Sequence, residues 1–360
     1  MKYKIPIYKP YIGDIEKKYV LDCIKSSWIS SKGSYIEKFE DKIQRYTGAK
    51  YVTSVSNGTC ALHLAFLALG IGEGDEVISS NFTYVASTNA ILYVKAKPIF
   101  TEIKNDLNID ETKIEEKITN KTKAIIITNV YGYMPNYDLI NKIAKKHNLY
   151  IIEDAAESFG AKFKNQISGT LGDISTFSFF GNKTITTGEG GMVLCKKLKH
   201  FKKVLQLKNQ GNSENRIYYH ELMGYNYRMT NIQAAIGLAQ LEKIDKILRI
   251  KENIFFNYRK YLNQSVKMIH PIPQTKPSYW MIALIFSEKK IKEKVDLILK
   301  NNKIETRPFF YPIDKLPFYE KSFNCKLANI YHEKGLLVPS YPGLMEKNIK
   351  SICNIINKIF

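Results

Sequence analysis

Lys183 sits in the run Phe177-Ser-Phe-Phe-Gly-Asn-Lys-Thr-Ile-Thr-Thr-Gly-Glu-Gly-Gly191. A short apolar stretch with strand character leads into it, the turn-prone pair Gly181-Asn182 presents it, and Gly188, Gly190 and Gly191 follow. Upstream, Tyr150-Ile-Ile-Glu-Asp-Ala-Ala-Glu-Ser158 reads as a buried strand that delivers a carboxylate, Asp154, at its carboxyl end. An amine on a tight loop with a strand-end carboxylate nearby is the pairing that pyridoxal phosphate (PLP) chemistry requires. The lysine condenses with the cofactor's aldehyde, and the carboxylate keeps the pyridine nitrogen protonated so that the ring accepts electrons.

A phosphate needs its own cradle. Ser54-Val-Ser-Asn-Gly-Thr-Cys-Ala-Leu-His-Leu64 reads as strand, glycine turn and helix start. Gly58 and Thr59 there would offer free N–H groups and a hydroxyl to a dianion at a helix N-terminus, where helix capping by Ser56 or Asn57 is the plainer alternative. Ser178, five residues before Lys183, reaches the same phosphate or simply alternates between Phe177 and Phe179 on a strand. Tyr84, just past a strand end, stacks on the ring or fills the core. Glu157, three residues beyond Asp154, approaches the cofactor's phenolic oxygen or a substrate hydroxyl, or stays solvated or ion-paired; a carboxylate beside a phenolate needs a proton or shielding. Arg228 and Arg307 stand out because only six of the 54 Lys and Arg residues are Arg, and each is a bidentate clamp for a carboxylate or phosphate or a structural ion pair. The six histidines lie far apart, with His63 on an apolar helical face, and the five cysteines show no metal-ligand spacing, so no metal is expected.

The elements that must hold these groups alternate. Lys50–Ser56, Asp75–Ser80, Lys97–Ile103, Ala124–Val130, Tyr150–Asp154, Ile174–Phe179 and Gly191–Cys195 are strand-like, with helical patterns such as Thr59–Leu69 and Tyr137–Lys146 between the early ones. This predicts an α/β fold with a mainly parallel seven-stranded sheet, covered on both faces, whose later strands include antiparallel pairing. Long helices follow, Ile232–Ile244 and Leu248–Leu262, then a smaller α+β unit with a strand Tyr279–Phe286 and helices Lys289–Asn301 and Glu346–Ile359. The expected division is a large domain over 1–245 and a small C-terminal α+β domain over 246–360.

The net charge of +20 raises a nucleic-acid or anionic-surface partner. Lysines spread along the chain without a stripe, tail or helix-turn-helix read instead as composition, so neither nucleic acid nor membrane is expected as a partner. No run matches a membrane helix, the start lacks a signal-peptide core, and the scattered cysteines fit reduced thiols; a cytoplasmic enzyme is expected.

Together these segments resemble the DegT/DnrJ/StrS sugar aminotransferases, a branch of the aspartate-aminotransferase-like fold type I PLP enzymes. The resemblance runs in order from Trp28-Ile-Ser-Ser-Lys-Gly33 through Ser56-Asn-Gly-Thr59, Glu153-Asp-Ala-Ala156, the Lys183 loop and Gly224–Leu241 to Arg307-Pro308. The Lys183 loop and Tyr225-Asn-Tyr-Arg-Met-Thr-Asn231 look most like enzymes that aminate C4 of GDP-linked 4-keto-6-deoxyhexoses; UDP- and dTDP-linked sugars and 3-keto sugars stay open. The resemblance implies that Lys183 binds PLP covalently, Asp154 pairs with the pyridine nitrogen, Tyr84 stacks on the ring, and Gly58, Thr59 and Ser178 hold the phosphate. It implies a homodimer in which Asn226 reaches the neighbouring subunit's phosphate, with L-glutamate and a nucleotide-linked keto-sugar as substrates. Glu157 falls where many relatives carry Gln or His, and Asp314 where histidine is common. The related sugar 3-dehydratases replace the lysine with histidine, so Lys183 points to amino transfer.

Overall fold

The computed structural model describes residues 3–319 and 325–360. Seven strands form the main sheet: β1 (Tyr51–Val55), β2 (Glu76–Ser80), β3 (Lys97–Thr101), β4 (Thr122–Thr128), β5 (Tyr150–Asp154), β6 (Ile174–Ser178) and β7 (Gly191–Cys195). Their spatial order is β1-β7-β6-β5-β4-β2-β3. From β6 to β3 neighbouring strands run parallel, whereas β7 runs antiparallel to both β1 and β6. The expectation of a mainly parallel sheet with antiparallel pairing among its later strands therefore holds.

Period-two alternation sends neighbouring residues to opposite faces, and both faces are apolar. Ile126, Ile152 and Ile174 pack with Leu62, Ala65 and Phe66 of the helix Gly58–Ala68. Ile125, Ile127 and Ile151 pack with Tyr137, Ile140 and Ile143 of the helix Tyr137–Lys146. Each fully buried Ile or Leu contributes about 1.5–3 kcal/mol. The same alternation fixes the chemistry. Asp154 and Ser178 share the face of Ile152 and Ile174, that of the Gly58 helix, whereas Glu153 falls on the other.

β6 and β7 are joined by the loop that carries Lys183. Phe179 N–H donates to Gly190 O at 2.8 Å and Thr187 N–H to Phe179 O at 2.9 Å, which closes the loop at its base. Lys183 thus emerges at the carboxyl end of β6, beside the carboxyl end of β5. Ligands of open α/β sheets bind along that edge.

The helix Ile244–Tyr261 places Ile244 and Ile247 among the side chains of Phe39, Phe177 and Met229. Farther along it, Ile254, Phe255 and Tyr258 enter a cluster built mostly from the C-terminal part of the chain, which Phe82, Ile103, Leu107, Val130, Tyr131 and Tyr133 also join. A four-stranded antiparallel sheet lies there, in the order 267–268, 282–285, 335–338, 307–308, with the helices Lys289–Asn301 and Glu346–Asn357. The N-terminal Ile5 and Ile7 join the same cluster, and Ile5 bridges Ile304. The strand expected over Tyr279–Phe286 is shorter, Ile282–Ile285, because Tyr279 has a left-handed backbone (φ 49°) that extended pairing does not accommodate. No helix among the described residues is long and apolar enough to cross a membrane.

Candidate active site

A cavity of ≈ 530 Å³ opens at the carboxyl edge of the sheet, and Gly58, Thr59, Tyr84, Asp154, Glu157, Ser178, Lys183 and Arg307 all line it. At one end the helix Gly58–Ala68 begins. The Asn57 side chain accepts from Cys60 N–H at 2.9 Å, while the N–H groups of Gly58 and Thr59 have no hydrogen-bond partner among the described residues. Capping and anion binding therefore coexist. A Cβ on Gly58 would come within 2.7 Å of Ser178 Cβ, and one on Gly191 within 2.5 Å of Asn57 O. Only glycines let the loop, β6 and the helix start meet this closely.

Asp154 is buried. Its Oδ2 accepts from Ser87 Oγ at 2.5 Å and its Oδ1 from Ala156 N–H at 3.1 Å. Ser87 belongs to the helix Val85–Tyr93, one turn past Tyr84, and also bonds Thr128. Burial pushes the Asp154 carboxyl upward, while Ser87, the Ala156 amide and the Lys183 amine pull it down. The adjacent Glu153 is different. Its two oxygens accept from Asn129, Ser168, Gly169, Leu171 and Ser175, so its bonding is directed to the fold rather than the cavity.

Glu157 is buried rather than solvated. The Tyr131 N–H donates to its Oε2 at 2.8 Å, and Tyr131 takes up a left-handed backbone (φ 54°). Its Oε1 has no hydrogen-bond partner and lies 3.8 Å from Lys183 Nζ, an attraction without a hydrogen bond. Burial raises the Glu157 carboxyl to about 7 against the pull of Lys183 and the Tyr131 amide. The Lys183 amine is driven down by the same burial, opposed by Glu157 and Asp154, and it sits 4.0 Å from the centroid of the Trp280 ring.

Tyr84 is half-exposed at the cavity and tilted against Phe310 at 5.9 Å, so it is not a core side chain. Arg307 is exposed and pairs with Glu305 at 3.2 Å. Asp314 is buried and engaged with the loop after β2: Asn81 Nδ2 donates to its Oδ1 at 2.7 Å, and its own N–H donates to Asn81 Oδ1 at 3.0 Å. Two residues stand apart. Asn226 is exposed, and its backbone bridges Asn209; Arg228 bonds the Asn209 side chain with Nη1, its Nε buried without a partner. Neither lines the cavity of its own chain. His63 is buried, as its apolar helical face implied.

Sequence reasoning missed Ser87, Tyr131, Trp280 and Phe310. Ser87 is one helical turn beyond Tyr84, a spacing that signals a shared face. Tyr131 acts through its peptide N–H, which leaves no trace in residue type. Trp280 and Phe310 come from distant sequence.

These residues fit PLP. A helix start with free N–H groups and Ser178 suits a phosphate, a buried acid suits a ring nitrogen, the Lys183 amine makes no hydrogen bond, and the orphaned Glu157 Oε1 awaits a polar partner. The fold and this site together define a fold type I PLP enzyme. The chain belongs to the DegT/DnrJ/EryC1/StrS aminotransferase family, whose model matches residues 10–357. It is 47% identical over 362 residues to the GDP-perosamine synthase of Escherichia coli O157:H7, with 100% of this chain and 99% of the relative covered. With the GDP-perosamine synthase of Vibrio cholerae it shares 45% identity over 363 residues, covering 99% of each. Among solved structures, the PLP form of the sugar aminotransferase Spr1654 from Streptococcus pneumoniae superposes with a TM-score of 0.93 at 25% identity, covering 99% of this chain and 100% of that one. The chain is thus a PLP-dependent aminotransferase.

Proposed function

We propose that this enzyme moves the amino group of L-glutamate to C4 of a nucleotide-linked 4-keto-6-deoxyhexose, with the GDP-linked sugar as its acceptor, as in a GDP-perosamine synthase. The observation that carries the reading is the Lys183 amine: buried, free of hydrogen bonds, and set beside two buried acids in a cavity that also receives a helix start. The names of the two bacterial relatives support the nucleotide and the sugar.

PLP, when bound, supplies the aldehyde that takes up amines and the ring that accepts electrons from the donor's Cα. Lys183 Nζ then serves first as base at that Cα and afterwards as acid. Asp154 holds a proton on the ring nitrogen, and Ser87 and the Ala156 amide fix the carboxylate's orientation. Gly58, Thr59 and Ser178 would hold the phosphate, Tyr84 would pack against the ring, and Glu157 would offer its unpartnered Oε1 to the cofactor. Arg307, at the exposed mouth, binds an anionic group of the substrate, and Arg228 acts from the neighbouring subunit.

Asn226 completes the phosphate site of a second subunit, so the working unit is a homodimer in the cytoplasm. Support comes from the exposed apolar side chains Trp28, Ile29, Ile217, Tyr218 and Met223, which a second chain would cover.

The test is amino transfer from glutamate to GDP-, UDP- and dTDP-linked 4-keto-6-deoxyhexoses, with the new C–N bond located by NMR. Amination at C4 of the GDP sugar is the expected outcome. Amination at C3, or preference for another nucleotide, overturns the assignment.

A further inference from the structure

The chain holds two tryptophans, and they differ sharply: Trp28 is 56% exposed, whereas Trp280 is 4% exposed and lines the cavity. The Trp280 ring engages Lys183 in two ways. Its face lies 4.0 Å from the lysine amine, and its Nε1–H donates at 2.6 Å to the carbonyl of Asn182, the peptide bond that leads into Lys183. On the other side of the same residue, Tyr8 Oη donates to Lys183 O at 2.7 Å. The lysine is therefore gripped through both flanking carbonyls by side chains that lie outside the β6–β7 loop.

Trp280 is itself fixed. Lys251, fully buried, donates to Trp280 O at 2.7 Å and to Ser340 O at 2.7 Å, and its amine lies 5.5 Å from the Tyr8 ring. Ser278 N–H donates to Gly132 O at 3.1 Å, and a Cβ on Gly132 would strike Ser278 Oγ at 2.4 Å. Segment 278–280 is thereby seated against the strained Tyr131 turn that orients Glu157.

We propose that Trp280 is the positioning residue of Lys183: its indole face holds the amine, whenever that amine is not bonded to the cofactor, on the side of the cavity from which it exchanges protons, and Lys251 anchors the Trp280 main chain. An ammonium over an indole face is attracted by the ring quadrupole, most strongly where water is excluded. Without that surface, the long lysine side chain has several rotamers within reach of Glu157 and Asp154, and only some of them address the donor's Cα. Proton transfer tolerates little misplacement.

This inference rests on the PLP reading for its kinetic consequence but not for its geometry, so the experiment has two arms. In the holoenzyme, Trp280→Leu is expected to lower kcat by about tenfold. The isotope effect from glutamate deuterated at Cα should rise, while the KM for the sugar nucleotide and retention of the cofactor stay at wild-type level. Trp280→Phe, which keeps a ring face and loses the Nε1 donor, should lie between the two. If the leucine variant does not fold, the phenylalanine variant decides: a wild-type kcat and isotope effect there contradict the proposal. So does a leucine variant whose only defect is cofactor loss or a raised KM, the mark of a mere cavity wall.

The second arm uses the apoprotein with Trp28→Phe, where Trp280 is the sole indole. Its emission is expected to shift when Lys183→Met removes the amine from its face, and an unmoved spectrum overturns the contact. A wild-type enzyme that transfers no amino group would sink the functional reading while leaving this arm intact.

Discussion

Lys183, Asp154 and Glu157 are one electrostatic unit, because burial works against the charged form of each and the opposite charges work for it. Lys183→Ala should abolish turnover and the visible absorbance that glutamate bleaches, while thermal denaturation shows a folded protein; retained transamination refutes its role. Asp154→Asn should cost about 10²–10³-fold in kcat, as for loss of a preorganised charge, with a much smaller loss of cofactor affinity. Equal losses in the two would mark Asp154 as structural. Glu157 gives a pH signature in the apoprotein. Its carboxyl is raised to about 7 in the fold from an ordinary value of 4.5, so between those values the folded state keeps a proton that the unfolded chain releases. Its contribution to stability is complete below the lower value and is lost as pH rises through about 7. Relative to Glu157→Gln, the wild-type Tm should therefore fall across that interval; a constant difference would contradict the buried, proton-holding Glu157.

Elements decide which of these groups meet. Strand alternation alone separates Asp154, aimed at the cavity, from Glu153, consumed by five groups of the fold. Lys50–Ser56 through Gly191–Cys195 were legible because apolar strands and helical periodicity are local signals, and the Lys183 loop because its glycines are local as well. The wall opposite Lys183 was not legible, since Trp280, Tyr131 and Phe310 are joined only by tertiary packing. Asp314 makes the same point. It stands where histidine is common among relatives, and its side chain and N–H exchange hydrogen bonds with Asn81 while Ile313 N–H donates to Asn81 O at 2.9 Å. This latch seats the segment bearing Phe310 and Arg307 over Tyr84. Asp314→Ala should destabilise the protein by about 1–3 kcal/mol, the cost of an orphaned buried partner. It should also raise the KM for the sugar nucleotide more than it weakens cofactor binding; an effect on the cofactor alone would place the latch elsewhere in the cycle.

At the scale of the molecule, the sites are proposed to be shared. Sedimentation should give a species of two 41.5-kDa chains. Subunits carrying Lys183→Ala and subunits carrying Asn226→Ala, each inactive alone, should regain activity on mixing, because the mixed dimer contains one site with both residues intact. No recovery in dimers shown to have exchanged subunits would place Asn226 outside the site. All of it depends on the amine at 183. Borohydride reduction of the holoenzyme, followed by digestion and mass spectrometry, locates the cofactor directly. Its mass should appear on the peptide containing Lys183. A cofactor mass on any other lysine, with Lys183 unmodified, would show that the chemistry described here belongs to a different residue.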